Sequence, residues 1–292
     1  MLSLLDSILS ILVIAEFVLG NFANVFIALV NGINWVKKQK LSCADGILTA
    51  LVVSRICLLW VILLNWYATV FNPGFYSSGV RTIIYIAWVV SNHFSLWFGT
   101  SLSILYLLKI ANFSSLFFLH LKWKAKRVVL MILLGSLVFL VCHLAVVILE
   151  GKMGMNEYKG NSTWVTNLRE TVHLSHNTVF TIVYVMPFTL SLMALLLLIF
   201  SLWKHLRKMQ LSGKGSQDAS TKVHVRAMQT VISFLLLFFI YFLAQIISKW
   251  NARQNNLVGI FQVLGLLYSA SHSFILIWGN RKLRHAILSF PW

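Results

Sequence analysis

Residues Val128–Leu149 read VVLMILLGSLVFLVCHLAVVIL, twenty-two positions without a Lys, Arg, Asp or Glu. At 1.5 Å per residue such a run covers about 33 Å, the thickness of a bilayer's hydrocarbon core. Working outward, six further apolar runs of similar length appear: Ile8–Trp35, Ile47–Val70, Thr82–Leu108, Asn177–Trp203, Met228–Lys249 and Leu257–Gly279. The whole chain of 292 residues is 59% hydrophobic and only 11% charged. A soluble chain carries about 25% charged residues, so a soluble domain of this length is excluded. The expected fold is all-α: a seven-transmembrane helix bundle spanning 1–292 as a single domain. Trp35, Trp66, Trp203 and Trp250 lie near span ends and suit an interfacial belt. The first span lacks a basic flank, and Glu16, Asn21 and Asn24 interrupt it, so it does not read as a cleaved signal peptide.

The formal net charge is +17. On a soluble protein that would suggest nucleic acid. Here the charge sorts by connection. Seventeen of the 24 lysines and arginines fall after spans 1, 3 and 5 and in the tail, six fall on the other side, and Arg55 lies inside span 2. The richer side is expected to be cytoplasmic, which places the N-terminus outside and the C-terminus inside. Anionic lipid accounts for most of this charge, so membrane lipid is an expected partner and nucleic acid is not. The same basic face can receive an acidic protein.

The cysteines, Cys43, Cys57 and Cys142, form no CxxC pair, and HExxH and GxSxG are absent. No aspartate falls inside a span, so an intramembrane enzyme is remote, and nothing calls for a cofactor or metal. A transporter would show inverted repeats or broken helices, and no internal repeat is visible.

Polar residues inside the spans carry the functional reading. A charge at mid-span costs several kcal/mol unless it is paired and turned inward. Arg55 lies about 15 Å in from Asp45 at helical rise, and Asn24 and Ser273 fall at matching depth. These three are expected to meet, either as a fixed clamp or as a conformational switch joining spans 1, 2 and 7. Glu16 sits nearer the outer interface and is expected to snorkel or face water. Towards the outer face lie Trp88, Asn92 and His93 on span 3, Asn177, Phe180 and Tyr184 on span 5, Tyr241 on span 6 and Gln262 on span 7. Trp88 and Asn92 share a face at i, i+4, as do Phe180 and Tyr184. An aromatic cavity with a few amides suits a small, mostly apolar ligand, although ordinary helix packing would use the same residues. Asn161-Ser-Thr163 is a glycosylation sequon on the expected outer side, whereas Asn112-Phe-Ser114 falls on the inner side.

Several segments together resemble the bitter taste receptors, the taste receptor type 2 family. They are Gly20-Asn-Phe-Ala-Asn24, Leu48-Thr-Ala-Leu-Val-Val-Ser-Arg55, Leu105-Tyr-Leu-Leu-Lys-Ile-Ala-Asn-Phe-Ser114, Pro187-Phe-Thr-Leu190, Ser201-Leu-Trp-Lys-His205 and His272-Ser-Phe-Ile-Leu-Ile-Trp-Gly-Asn-Arg-Lys-Leu283. The third inner connection, Lys208–Leu211 with Gly213–Asp218, matches one closely related group. Rhodopsin-like landmarks are missing: span 3 ends Leu107-Leu-Lys109, and span 7 lacks NPxxY. A type 1 vomeronasal receptor would share the topology but not these segments. One departure is at span 6, where the family often has His-x-x-Ala-Leu-Lys-Thr and this chain has His224-Val-Arg-Ala-Met228-Gln229-Thr230. The tail after Trp278 is short, with Leu283, Ala286 and Ile287 opposed to Arg281, Lys282, Arg284 and His285 in a brief amphipathic helix.

The resemblance implies a multi-pass G-protein-coupled receptor of the plasma membrane and no catalysis in the chain itself. A small bitter compound would enter from outside between spans 3, 5, 6 and 7, with Trp88, Asn92, Tyr241 and Gln262 touching it. The amide of Gln262 stands where some relatives carry an acid, which implies a weaker preference for strongly basic ligands. Lys109, Lys204, His205 and His224 would face a gustducin-type heterotrimeric G protein.

Overall fold

The computed structural model describes residues 4–37, 42–72, 74, 77–111, 113–155, 163–211, 219–250 and 255–289. Side chains are described throughout these segments except at 78, 153–155, 163–169, 208–211, 219–224, 226–227, 249–250, 255–258 and 261–262. Among the described residues the chain forms nine helices: α1 Leu4–Val36, α2 Cys43–Val70, α3 Ser78–Ile110, α4 Leu116–Trp123, α5 Ala125–Met155, α6 Thr163–Leu211, α7 Ala219–Trp250, α8 Asn255–Gly279 and α9 Arg281–Leu288. In hydrocarbon every backbone N–H and C=O must be bonded within the protein, and a helix achieves this within one segment. Seven of the nine are long and correspond to the seven apolar runs.

The long helices close into a ring in the order α1, α2, α3, α5, α6, α7, α8, with α8 packed back on α1. α3 also packs on α6, and α2 on α8, so these helices cross the interior. The exterior is apolar. Leu130, Met131, Leu134, Val138 and Val141 form an exposed stripe on α5 at helical spacing. Five helices, α1, α2, α5, α6 and α7, contain an 18-residue stretch apolar enough to cross a membrane. α3 is more polar because its buried faces carry Asn92, His93, Ser95, Thr100, Ser101 and Ser103. In α8 the stretch whose side chains are described without interruption, Val263–Gly279, is likewise apolar.

The helices outrun the hydrophobic runs. α6 has 49 residues, about 74 Å of helix, where the apolar run has 27. Hydropathy marks where lipid ends, and helical hydrogen bonding continues into polar sequence. Pro187 interrupts the bonding ladder of α6. Thr100 on α3 sits beside that point, its Oγ1 lying 2.9 Å from Leu96 O and 3.2 Å from Pro187 O and accepting from Ser191 Oγ at 2.9 Å.

Caps set the helix starts. Ser42 and Asp45 form a reciprocal capping box on α2: Asp45 N donates to Ser42 Oγ at 3.2 Å and Ser42 N to Asp45 Oδ2 at 3.1 Å. Asn280 caps α9, its Oδ1 accepting from Lys282 N at 3.0 Å. The amphipathic tail helix forms as the sequence predicts, with Leu283 fully buried and Arg281 and His285 exposed. The short α4 was not foreseen. It lies in the connection after α3, with Phe118 and Leu121 turned into the bundle and Phe117 and Trp123 exposed. Lys122 Nζ donates to Ala111 O at 2.9 Å, fastening α4 to the end of α3.

Two expectations change. Trp66 is not an interfacial residue: it is 4% exposed, packs among Leu9, Val13, Leu58 and Ile62, and donates from Nε1 to Ser10 Oγ at 3.1 Å. Glu16 is not wholly turned to water either. Its side chain is half-buried, and Oε2 is covered by protein without a hydrogen-bond partner among the described residues.

At the close of α8, a Cβ on Gly279 would stand 2.7 Å from Thr230 Cγ2 of α7. No real Cβ contact is that short, so glycine sets the approach of α7 and α8 at the basic end. In the neighbouring departure from the family pattern, Gln229 is exposed and Met228 packs beside Leu198 and Leu202.

Candidate ligand cavity and buried arginine clamp

Arg55 is fully buried at the middle of α2. One guanidinium nitrogen donates to Ser273 Oγ at 3.2 Å, and another meets Nδ1 of His272. Its Cζ stands 5.2 Å from the centroid of the Tyr268 ring, a cation–π contact. Ser273 Oγ lies 2.8 Å from Asn24 Oδ1 and 3.1 Å from Ser269 O, to which it can donate. Asn24 Nδ2 in turn donates to Gly20 O at 2.7 Å. Asn24, Arg55 and Ser273 therefore meet, with one difference from the expected arrangement: Asn24 reaches the arginine through the serine hydroxyl. Arg55 thus has three direct partners, all on α8, and among the described residues none of them is an acid.

Nearer the opposite end of the bundle, Asn92 of α3 joins two other helices. Tyr241 Oη of α7 donates to Asn92 Oδ1 at 2.6 Å, and Asn92 Nδ2 donates to Tyr184 Oη of α6. All three side chains are 2–4% exposed. Phe180 stacks on Tyr184 with centroids 4.5 Å apart. Trp88, one turn from Asn92, is half-buried and stacks on Tyr85 at 5.5 Å. Asn177 is half-buried on α6.

Tyr268 links these two centres, and the sequence reading did not name it. Its ring stacks on Tyr241 at 4.6 Å and on His272 at 5.7 Å, besides facing Arg55. Phe234 and Phe238 of α7 pack around it. A continuous column of rings and hydrogen bonds thus runs from Phe180 through Tyr184, Asn92, Tyr241 and Tyr268 to Arg55.

His93 lies apart from that column. Being next to Asn92, it is turned about 100° around the helix. Its Nε2 is 3.3 Å from Ser136 Oγ of α5, and its ring packs on Phe94 and Trp97. Gln262 and His224 lie on α8 and α7, but their side chains fall outside the described residues, as do Asn112 and Asn161. Lys109, Lys204 and His205 are exposed at the basic end. The three cysteines are unbridged. Among the described residues no group of His, Cys, Asp and Glu could hold a metal ion.

The arrangement is a ring of membrane helices with a buried polar column. Comparison with known proteins agrees with it. The family described as taste receptor protein (TAS2R) matches residues 1–292. Taste receptor type 2 member 31 of Pongo pygmaeus is 58% identical over 292 residues, covering 99% of this chain and 94% of that one. Taste receptor type 2 member 43 of Papio hamadryas is 59% identical over 295 residues, covering 100% and 96%. Taste receptor type 2 member 50 of Gorilla gorilla gorilla is 59% identical over 291 residues, covering 99% and 97%. The chain belongs to the taste receptor type 2 family, the seven-transmembrane, G-protein-coupled bitter taste receptors of the plasma membrane.

Proposed function

We propose that the chain binds small bitter compounds from the extracellular side and activates a gustducin-type heterotrimeric G protein. In this reading the N-terminus is outside and the basic end, with Lys109, Lys204, His205 and His224, faces the cytoplasm. Trp88, Asn92, Phe180, Tyr184, Tyr241 and Gln262 line the ligand cavity, and His93 supports α3 from behind. The observation that carries the reading is the Asn92 junction. One amide ties α3 to α6 and α7 beside the half-buried Trp88, so a molecule entering there disturbs three helices at once.

The column through Tyr268 supports a switch role for Asn24, Arg55 and Ser273. A ligand needs to favour one arrangement of that column by only a few kcal/mol to shift the population. Nucleotide exchange is the G protein's chemistry. The chain supplies a binding cavity, a bistable core and a basic docking face.

The test is calcium imaging in cells expressing the receptor with a taste-type G-protein chimera, against a panel of bitter compounds. At least one compound is expected to evoke a receptor-dependent signal. Silence to the whole panel, with receptor at the surface, contradicts the reading.

A further inference from the structure

At the end of the bundle away from the basic face, three polar side chains on three helices form a relay that stops at Trp88. The carboxylate of Glu150 on α5 meets Nδ1 of His176 on α6. Nε2 of the same ring lies 3.2 Å from the Tyr85 hydroxyl on α3. The Tyr85 ring stacks on the Trp88 indole, with centroids 5.5 Å apart and planes 19° from parallel. The donor order follows from the chemistry. A carboxylate only accepts, so Nδ1 carries the hydrogen, and Nε2 shares a hydrogen bond with the tyrosine hydroxyl, which can either donate or accept. His176 is 1% exposed, whereas the Glu150 side chain is 37% exposed, so the imidazole is enclosed and the carboxylate reaches the surface. His143 backs it, its ring 5.8 Å from His176 and 6.0 Å from Phe180.

Tyr85 and Trp88 are both half-buried. Trp88 touches apolar residues of three clusters, and Tyr85 packs on Trp88 and on the His176 ring, but χ2 of an aromatic side chain has broad minima, so apolar contact alone leaves its angle soft. A hydrogen bond at the far tip of Tyr85 removes that freedom, and the stacked indole follows it. We propose that Glu150, His176 and Tyr85 are positioning residues that hold the Trp88 indole at a fixed angle to the cavity and so set the potency of aromatic ligands. The proposal rests on the reading of Trp88 as a cavity wall.

The test needs no agonist, so its failure is separate from failure of the receptor reading. The full-length receptor is purified in detergent with 5-fluorotryptophan at its 11 tryptophans, and Trp88→Phe identifies the Trp88 fluorine peak. In His176→Leu and Tyr85→Phe that peak is expected to leave its wild-type position and broaden, while the others stay. In His176→Gln it is expected to remain, because the glutamine amide can donate to Glu150 and accept from Tyr85. This rescue separates ring positioning from a bulk packing role. Tyr85→Phe removes a single oxygen, so it decides the matter where His176→Leu fails to fold. An unmoved Trp88 peak in Tyr85→Phe overturns the proposal. So does a peak displaced as far by His176→Gln as by His176→Leu, or a shift of all the tryptophan peaks together.

Discussion

Replacing Ser273 with alanine removes one hydroxyl from the centre of the arginine clamp, and its cost can be worked from the geometry. That oxygen accepts from Arg55 at 3.2 Å and reaches Asn24 Oδ1 at 2.8 Å, with all three residues fully buried. A hydrogen bond to a charged group contributes about 1.5–3 kcal/mol and a neutral one about 0.5–1.5. Their sum, about 2–4.5 kcal/mol, is lost while the desolvated charge remains in place. Losses of even 1–2 kcal/mol change cellular abundance several-fold, so Ser273→Ala is expected to lower surface receptor at least that much. Arg55→Met behaves differently. It removes the charge together with the cost of burying it, and the contact between Ser273 and Asn24 survives. Surface level is therefore expected to fall less for Arg55→Met than for Ser273→Ala, although the same variant loses signalling out of proportion to its abundance. The assay is antibody binding to an N-terminal epitope on intact cells, paired with calcium imaging. A wild-type surface level for Ser273→Ala, above that of Arg55→Met, refutes the reasoning.

Two further outcomes test other parts of the account. Gly279→Ala puts a Cβ 2.7 Å from Thr230 Cγ2 and is expected to cost about 1–3 kcal/mol, as overpacking does. Thr230→Ser removes that methyl group and should restore the thermal midpoint of the purified double variant, whereas equal midpoints for Gly279→Ala and wild type would show that the helices yield freely. Asn161→Gln is expected to increase gel mobility as enzymatic deglycosylation does, and Asn112→Gln to leave it unchanged, because only the first sequon lies on the side assigned to the outside; the reverse pattern inverts the topology.

The sequence carried the helices well because lipid imposes a blunt rule: a span must be apolar and about 20 residues long. Every long helix contains its apolar run, and the ends differ where helix continues into polar sequence, most of all in α6. Depth counted at 1.5 Å per residue brought Asn24, Arg55 and Ser273 together, because straight helices in a bilayer share one ruler. The same ruler says nothing about which way a residue faces. His93 sits at the right depth but points to α5, a consequence of the 100° turn from Asn92. Tyr268 escaped notice since a tyrosine among many aromatics has no signature, and only the stacking partners on α2, α7 and α8 single it out. The contact of Glu150 with His176 was hidden for another reason. Both residues lie at span ends, where a charged or ionisable side chain reads as interfacial. Trp66 was misplaced by that same habit: a tryptophan at the end of an apolar run suits a belt, and only the packing of α1 and α8 shows it to be core.

The central claim is that a small molecule acts from the cavity walled by Trp88. Trp88→Ala, compared with wild type in calcium dose–response curves for any compound active in the panel, tests it most directly. With surface receptor unchanged, the account predicts a right shift of about tenfold or more, equivalent to ~1.4 kcal/mol of lost binding. Superimposable curves for the two receptors would contradict it.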